Sequence, residues 1–308
     1  MKTFTKRSYF IFGILIALLV AGLIAGSFVD LKLSQSIADT DNVFGMICAS
    51  FGELFGWGMT GVFGAMAFRL AKQSKKKIFK ALLIIAGIVL IGSGAYLIFA
   101  DMNSSHNGFK EVSHIAVRIV LTVLFQGGMT VGSFFIINTK DKKLLLTTWI
   151  ILMIAFYLGL AINFITKGAI KRPRYYQIAD GYDGYSALDL FENWYECGKV
   201  GLAESIIPNG DGLKSFPSGH SFVSMMSVLV FYVLLLNEKV REKAWARELV
   251  LIGFILYGLL IEFARILYGA HFLSDTSFGG LLAAVCAFVI PLIGFKIAEK
   301  KGWIFKKE

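Results

Sequence analysis

The stretch YFIFGILIALLVAGLIAGSFV, residues 9–29, runs for twenty-one positions without a single charged side chain. An uninterrupted apolar run of 18 or more is long enough to carry a helix across the hydrocarbon core of a bilayer. It also exceeds the 7–15 apolar residues of a secretory signal, so it reads as a retained helix. A second charge-free run spans Leu144 to Ile165. Working outward from these two, hydrophobic windows give eight expected spans, near residues 9–29, 46–68, 80–100, 116–138, 145–166, 219–236, 249–268 and 275–295. The expected fold class is therefore all-α, a polytopic membrane helical bundle of about eight transmembrane helices, with residues 1–308 forming a single integral membrane domain.

Composition agrees. Of the 308 residues 56% are hydrophobic and 17% charged, against roughly 45–50% and 25% in a soluble domain. These values exclude a secreted, cytosolic or disordered protein, and the long runs exclude a membrane barrel, whose strands alternate apolar and polar. The net charge of +10 accompanies no soluble basic stripe with interleaved aromatics, so nucleic acid is not an expected partner. Three cysteines make no disulfide framework. Cys48 and Cys286 fall in apolar segments, and only Cys197 is placed where water would reach it.

Eight crossings put both termini on one face. Assigning that face the N-terminus, residues 69–80, 139–144, 237–248 and the tail from Lys296 gives it about 21 of the 31 Lys and Arg but only about 6 of the 21 acids, so both termini are expected to be cytoplasmic. The other face receives residues 30–45, 101–115, 269–274 and a loop from Lys167 to Ser218. A connection this long is usually functional or disordered. It holds Tyr175, Tyr176, Tyr182, Tyr185, Phe191, Trp194 and Tyr195, which suit either a lid or simple anchoring at the headgroups.

Three polar groups sit at helix ends on that outer face. Lys167-Gly-Ala-Ile-Lys-Arg-Pro-Arg174 places four cations beyond the fifth span, on the face where basic clusters are not favoured. Pro217-Ser218-Gly219-His220 opens the sixth. Proline and serine there are ordinary helix-start chemistry, but the Ser-Gly amides and the helix dipole also suit a phosphate, with His220 in reach of a leaving oxygen. In Arg265-Ile-Leu-Tyr-Gly-Ala-His271-Phe-Leu-Ser-Asp275, the histidine and aspartate are four apart. Asp275 can then fix the tautomer of His271 and leave one ring nitrogen nucleophilic. Cations, a helix N-terminus and two histidines suit phosphoryl transfer without a metal; no close pair of histidines or acidic cluster in the sequence suggests one. His106 and His114 carry no motif. Glu262, three residues before Arg265, is expected to pair with Arg265 or with Arg118 of another span.

These three groups resemble the signature of the type 2 phosphatidic acid phosphatase superfamily, which also includes vanadium haloperoxidases and glucose-6-phosphatase. The second motif is complete at Pro217 to His220. The third matches from Arg265 through His271 to Asp275, with Ala264 where the family has serine. In the first, Lys167 and Arg174 are correctly spaced but Tyr175 replaces proline; the other register, Arg172-Pro173, would put Ile165 in place of the lysine. The resemblance implies a six-helix phosphatase core with two additional spans before the first motif. It implies that His271 forms a phosphohistidine, that Asp275 orients it, and that His220 protonates the leaving alkoxide and then activates water. Lys167, Arg174, Arg265 and the Ser218 and Gly219 amides would hold the phosphate, with no metal and no cofactor. The expected activity is a metal-independent lipid phosphate or diphosphate phosphatase at the extracytoplasmic face of a cell membrane, its partners being the lipid substrate and membrane lipids. Undecaprenyl diphosphate and a sugar phosphate stay open as substrates. A non-catalytic transporter or scaffold with a degenerate phosphate site stays open as well, because of Tyr175 and Ala264. Membrane embedding favours a lipid over halide and peroxide. The oligomeric state is not legible.

Overall fold

The computed structural model describes residues 4–102, 115–196, 202–207 and 210–304. His106, His114 and Cys197 lie outside the described residues. Among the described residues eight helical segments are long and apolar enough to cross a membrane and there are no strands. The fold is an all-α polytopic bundle.

In chain order, α1 is Lys6–Ile37, α2 Val43–Phe51, α3 Leu54–Lys72, α4 Lys77–Asp101, α5 Ile115–Ile136 and α6 Lys142–Ile170. After the long loop, with its short helices α7 Tyr175–Ile178, α8 Ala187–Leu190 and α9 Leu202–Ile206, come α10 Gly219–Met226, α11 Val230–Val233, α12 Ala244–Leu267 and α13 Leu273–Lys300. The helices overrun the hydrophobic windows by several residues because polar caps start and stop them. Thr5 and Ser8 form a capping box on α1, and Asp141 caps α6 by accepting from the Leu144 amide.

Two spans depart from plain helices. The second breaks at Gly52 and Glu53, between α2 and α3. The sixth, Gly219–Leu236, alternates α and 3₁₀ turns. Its serines explain part of this: the Ser224 and Ser227 hydroxyls donate to the carbonyls three residues earlier, competing with the regular ladder.

The packing separates the bundle into parts. Helix α13 lies along α1, α6 and α10, and α12 packs on α10, α2 and α1. Helices α4 and α5 pack on each other and chiefly on α3. That leaves α1, α3, α6, α10 with α11, α12 and α13 as a six-helix cluster, and α4 and α5 as a hairpin added to its side. Lipid and the helix interior are equally apolar, so close approach of small residues and interhelical hydrogen bonds must hold such helices together. Gln126 of α5 supplies one such link, donating to the Thr60 hydroxyl of α3 and the Ile91 carbonyl of α4.

Two expectations are corrected. Arg118 does not pair with Glu262: it donates to the Phe99 carbonyl and stacks on the Phe99 ring, tying α5 to α4. Arg265 faces a cavity instead, and Oε1 of Glu262 is buried without a hydrogen bond among the described residues, pressed against Gly280 of α13. The loop aromatics also do more than anchor. Tyr175, Tyr182 and Phe191 pack on a small satellite core of Ile178, Leu190, Ala203, Ile207, Leu213 and Phe272.

Gly56 at the start of α3 meets α10 at the Val223 carbonyl, where an added Cβ would lie 2.0 Å from the oxygen. Gly56→Ala must push the two backbones apart. The expected cost is about 1–3 kcal/mol, read as a lowered thermal midpoint of the detergent-solubilised protein.

Candidate active site

All three motifs reach one end of the bundle. Lys167 is on the last turn of α6, Gly219 and His220 open α10, Arg265 ends α12, and His271 precedes α13. They surround a cavity of about 390 Å³, within the range of small-ligand pockets. Lys167, Arg174, Lys214, Arg265, Gly219 and His220 line it, together with Asn163, Glu53, Asp101 and Asp211, and with Trp57, Leu160, Phe164 and Val223 as apolar wall.

His271 is 1% exposed and sits just behind this wall. Its Nδ1 lies 2.7 Å from the Ser215 carbonyl oxygen. A carbonyl only accepts, so Nδ1 carries the hydrogen and Nε2 keeps its lone pair. That lone pair points toward Nη1 of Arg174, 3.4 Å away, on the cavity side. Burial, then the charges of Arg174, Lys167, Arg265 and His220, push the His271 pKa well below the ordinary imidazole value, so the ring stays neutral. A neutral imidazole with a fixed tautomer and an available Nε2 is a competent nucleophile.

Asp275 is placed differently from the expectation. Its Oδ2 is 4.0 Å from Nδ1 of His271, and the tautomer is fixed by the Ser215 carbonyl. The carboxylate instead accepts from the Ser215 hydroxyl at 2.5 Å and the Phe272 amide at 2.8 Å, and pairs with Nη1 of Arg172 at 2.5 Å. It therefore holds the segments on both sides of His271, not the ring itself. Arg172 is wholly buried. Its Nη2 pairs with Asp30 of α1 at 3.0 Å, Nε donates to the Glu192 carbonyl, and the guanidinium stacks on Phe272. Asp30 in turn accepts from the amide and hydroxyl of Ser274.

The residues expected to hold the phosphate sort clearly. Arg174 is held by Asp211, its Nη2 2.9 Å from the carboxylate and Nε 2.9 Å from the carbonyl. Lys167 donates to the Lys214 carbonyl at 3.0 Å. Nε and Nη1 of Arg265 and Nδ2 of Asn163 are buried and make no hydrogen bond among the described residues, so an oxyanion in the cavity would satisfy donors that the protein leaves unmatched. The Ser218 amide is a correction: it donates to the Asp275 carbonyl at 3.0 Å, while the Ser218 hydroxyl caps α10 through the Ser221 amide. Gly219, at the first position of α10, has no intrahelical acceptor for its amide and lines the cavity.

Sequence reasoning missed Glu53, Asp101, Asp30 and the role of Arg172. Glu53 and Asp101 face His220, with Oε1 of Glu53 3.0 Å from Nδ1 and Oδ1 of Asp101 3.8 Å from Nε2. The three side chains offer possible ligand atoms within 4.8 Å of one another. The two carboxylates approach opposite ring nitrogens; Asp101 is beyond hydrogen-bond distance, and Nε2 itself lies 3.0 Å from the Ala49 carbonyl oxygen.

The sequence from residue 146 to 299, half of the chain, matches the family model described as the PAP2 superfamily. The chain belongs to this superfamily. Lys167, Arg172, Arg174, Lys214, Arg265 and both site histidines fall inside the match, whereas Asp30, Glu53 and Asp101 fall outside it. PAP2 superfamily membership supports a phosphatase activity in general. No curated protein and no solved structure matches the chain.

Arg172 carries the network behind His271, so its loss leaves Asp30 and Asp275 buried without their countercharge. Arg172→Ala is expected to destabilise the protein by about 3–5 kcal/mol, seen as early thermal unfolding in detergent. Arg172→Lys should recover only part of this, because one ammonium cannot span both carboxylates.

Proposed function

We propose that this protein is a metal-independent phosphatase that cleaves a membrane lipid phosphate or diphosphate at the extracytoplasmic face through a phosphohistidine. The observation that carries the reading is His271: its Nδ1–H is held by the Ser215 carbonyl, and its Nε2 lone pair is turned toward Arg174 and a cavity rich in cations. Nε2 attacks phosphorus while Lys167, Arg174, Arg265 and the Gly219 amide hold the equatorial oxygens, the largest contribution expected of fixed charge in such a site. His220 supplies the proton to the leaving oxygen and then takes one from the attacking water.

The lipid assignment rests on where the cavity lies. It opens at the helix ends, beside the apolar wall of Leu160, Phe164 and Val223, where a headgroup can enter with its chains still in the bilayer. The Lys and Arg excess on the opposite end supports the outer face. In sealed vesicles of known orientation, right-side-out preparations should hydrolyse added substrate without permeabilisation; hydrolysis only after permeabilisation would reverse the topology.

Purified protein should release phosphate from a lipid phosphate in the presence of EDTA, with His271→Ala reducing the rate to background and His220→Ala lowering it about 10²–10⁴-fold. Full activity in His271→Ala would refute the phosphohistidine. A release assay across phosphatidic acid, phosphatidylglycerol phosphate, undecaprenyl diphosphate and a sugar phosphate identifies the leaving group. Binding of vanadate with no turnover on any of them would mark a non-catalytic site.

A further inference from the structure

His220 is gripped from both sides. Its Nε2 lies 3.0 Å from the Ala49 carbonyl oxygen, which only accepts, so that nitrogen carries a hydrogen. Its Nδ1 lies 3.0 Å from Oε1 of Glu53. At that distance two bare lone pairs would repel, so the contact is favourable only while the pair holds one proton. The other oxygen of Glu53, Oε2, accepts from the Trp57 indole N–H at 2.6 Å. Glu53 stands at the break between α2 and α3, and its side chain, that of Trp57 and that of His220 all line the cavity. Asp101 of α4 approaches the Nε2 side, while Lys167 of α6, Arg174 of the loop and Arg265 of α12 complete the charges around the ring.

We propose that Glu53 is a positioning residue for His220, and that the couple stores the single proton which the leaving oxygen consumes. The inference rests on the phosphatase reading above. In the first step Nε2 of His271 bonds to phosphorus and the P–O ester bond breaks. The leaving oxygen takes its proton from the Glu53–His220 couple and departs as the alcohol. In the second step water attacks the phosphohistidine and the P–N bond breaks. One water proton returns to the couple, and hydrogen phosphate leaves with His271 neutral again. The couple thus ends each turnover with the proton it began with. Glu53 keeps that proton at the ring beside a cavity lined by Lys167, Arg174 and Arg265.

The test compares two substrates in mixed micelles, using the full-length protein. An alkyl lipid monophosphate needs its leaving oxygen protonated; 4-nitrophenyl phosphate, whose phenolate leaves unaided, does not. The quantity read is kcat/KM, which ends at phosphoenzyme formation and excludes the later hydrolysis. In E53Q, kcat/KM for the alkyl substrate is expected to fall about 10²-fold further than that for the aryl substrate, and E53D should recover part of the difference. Equal losses on both substrates, or none on either, overturn the proposal. Should E53Q fail to fold, W57F takes its place, removing only the indole donor to Oε2. A selective loss on the alkyl substrate is again expected, and an unselective one is the contrary result. Residual full activity of His271→Ala on both substrates would instead refute the phosphatase mechanism, so the two failures are told apart.

Discussion

The buried guanidinium of Arg172 is the interaction on which the rest of the site depends. It lies between two carboxylates from opposite ends of the chain, Asp30 of α1 and Asp275 of α13, and all three side chains are sealed from solvent. Desolvating three charges is expensive, and replacing such a cluster by apolar groups often costs nothing in stability. Its effect here is positional. Asp275 also receives the Phe272 amide and the Ser215 hydroxyl, which fixes the backbone on one side of His271 and the carbonyl that sets its tautomer on the other. The first membrane helix, which holds no cavity-lining residue, thereby contributes to the geometry of His271.

From that anchor the electrostatics follow. Four cations line the cavity, and Asp211 pairs directly with Arg174. Among the described residues, Arg265 has two buried donors without an acceptor. Such a site is costly when empty and favourable with a dianion in it, which is the condition for binding energy to be spent on an oxyanion. Burial and the same cations keep His271 neutral, so the field that would attract a phosphate also preserves the lone pair proposed to attack it.

Much of this was legible in the sequence, and the reason lies in which signals are local. The eight spans are runs of apolar residues, and the two motifs at Pro217–His220 and Arg265–Asp275 are short enough that spacing alone brings their residues to one helix end. Lys167 and Arg174 were legible through their seven-residue separation. What escaped was everything set by distant partners. Asp30, Glu53 and Asp101 are single acids in or beside apolar windows, and nothing near them in the chain names Arg172 or His220 as a partner. Glu262 shows the converse: an acid three residues from an arginine invites an ion pair, yet the two side chains leave α12 in different directions. Hydrogen-bond competition also hid from spacing. The Ser218 amide looks available at a helix start until Asp275, fifty-seven residues on, presents its carbonyl.

The cavity is divided by origin as well as by charge. Its cations, His220 and Asp211 come from the half of the chain that matches the PAP2 superfamily, while Glu53 and Asp101 come from the N-terminal half. The α4 and α5 hairpin explains how those acids can be there at all. By covering α3 it removes the start of that helix from lipid, and by ending at Asp101 it brings a second carboxylate to the rim of the same cavity. A lone carboxylate facing hydrocarbon would be prohibitively placed; one that accepts from Trp57 and faces His220 is not. Two additional spans thus do more than thicken the bundle. They create a sheltered acidic side opposite the cationic one, so that a phosphoryl group and its leaving oxygen would meet environments of opposite sign within a single pocket.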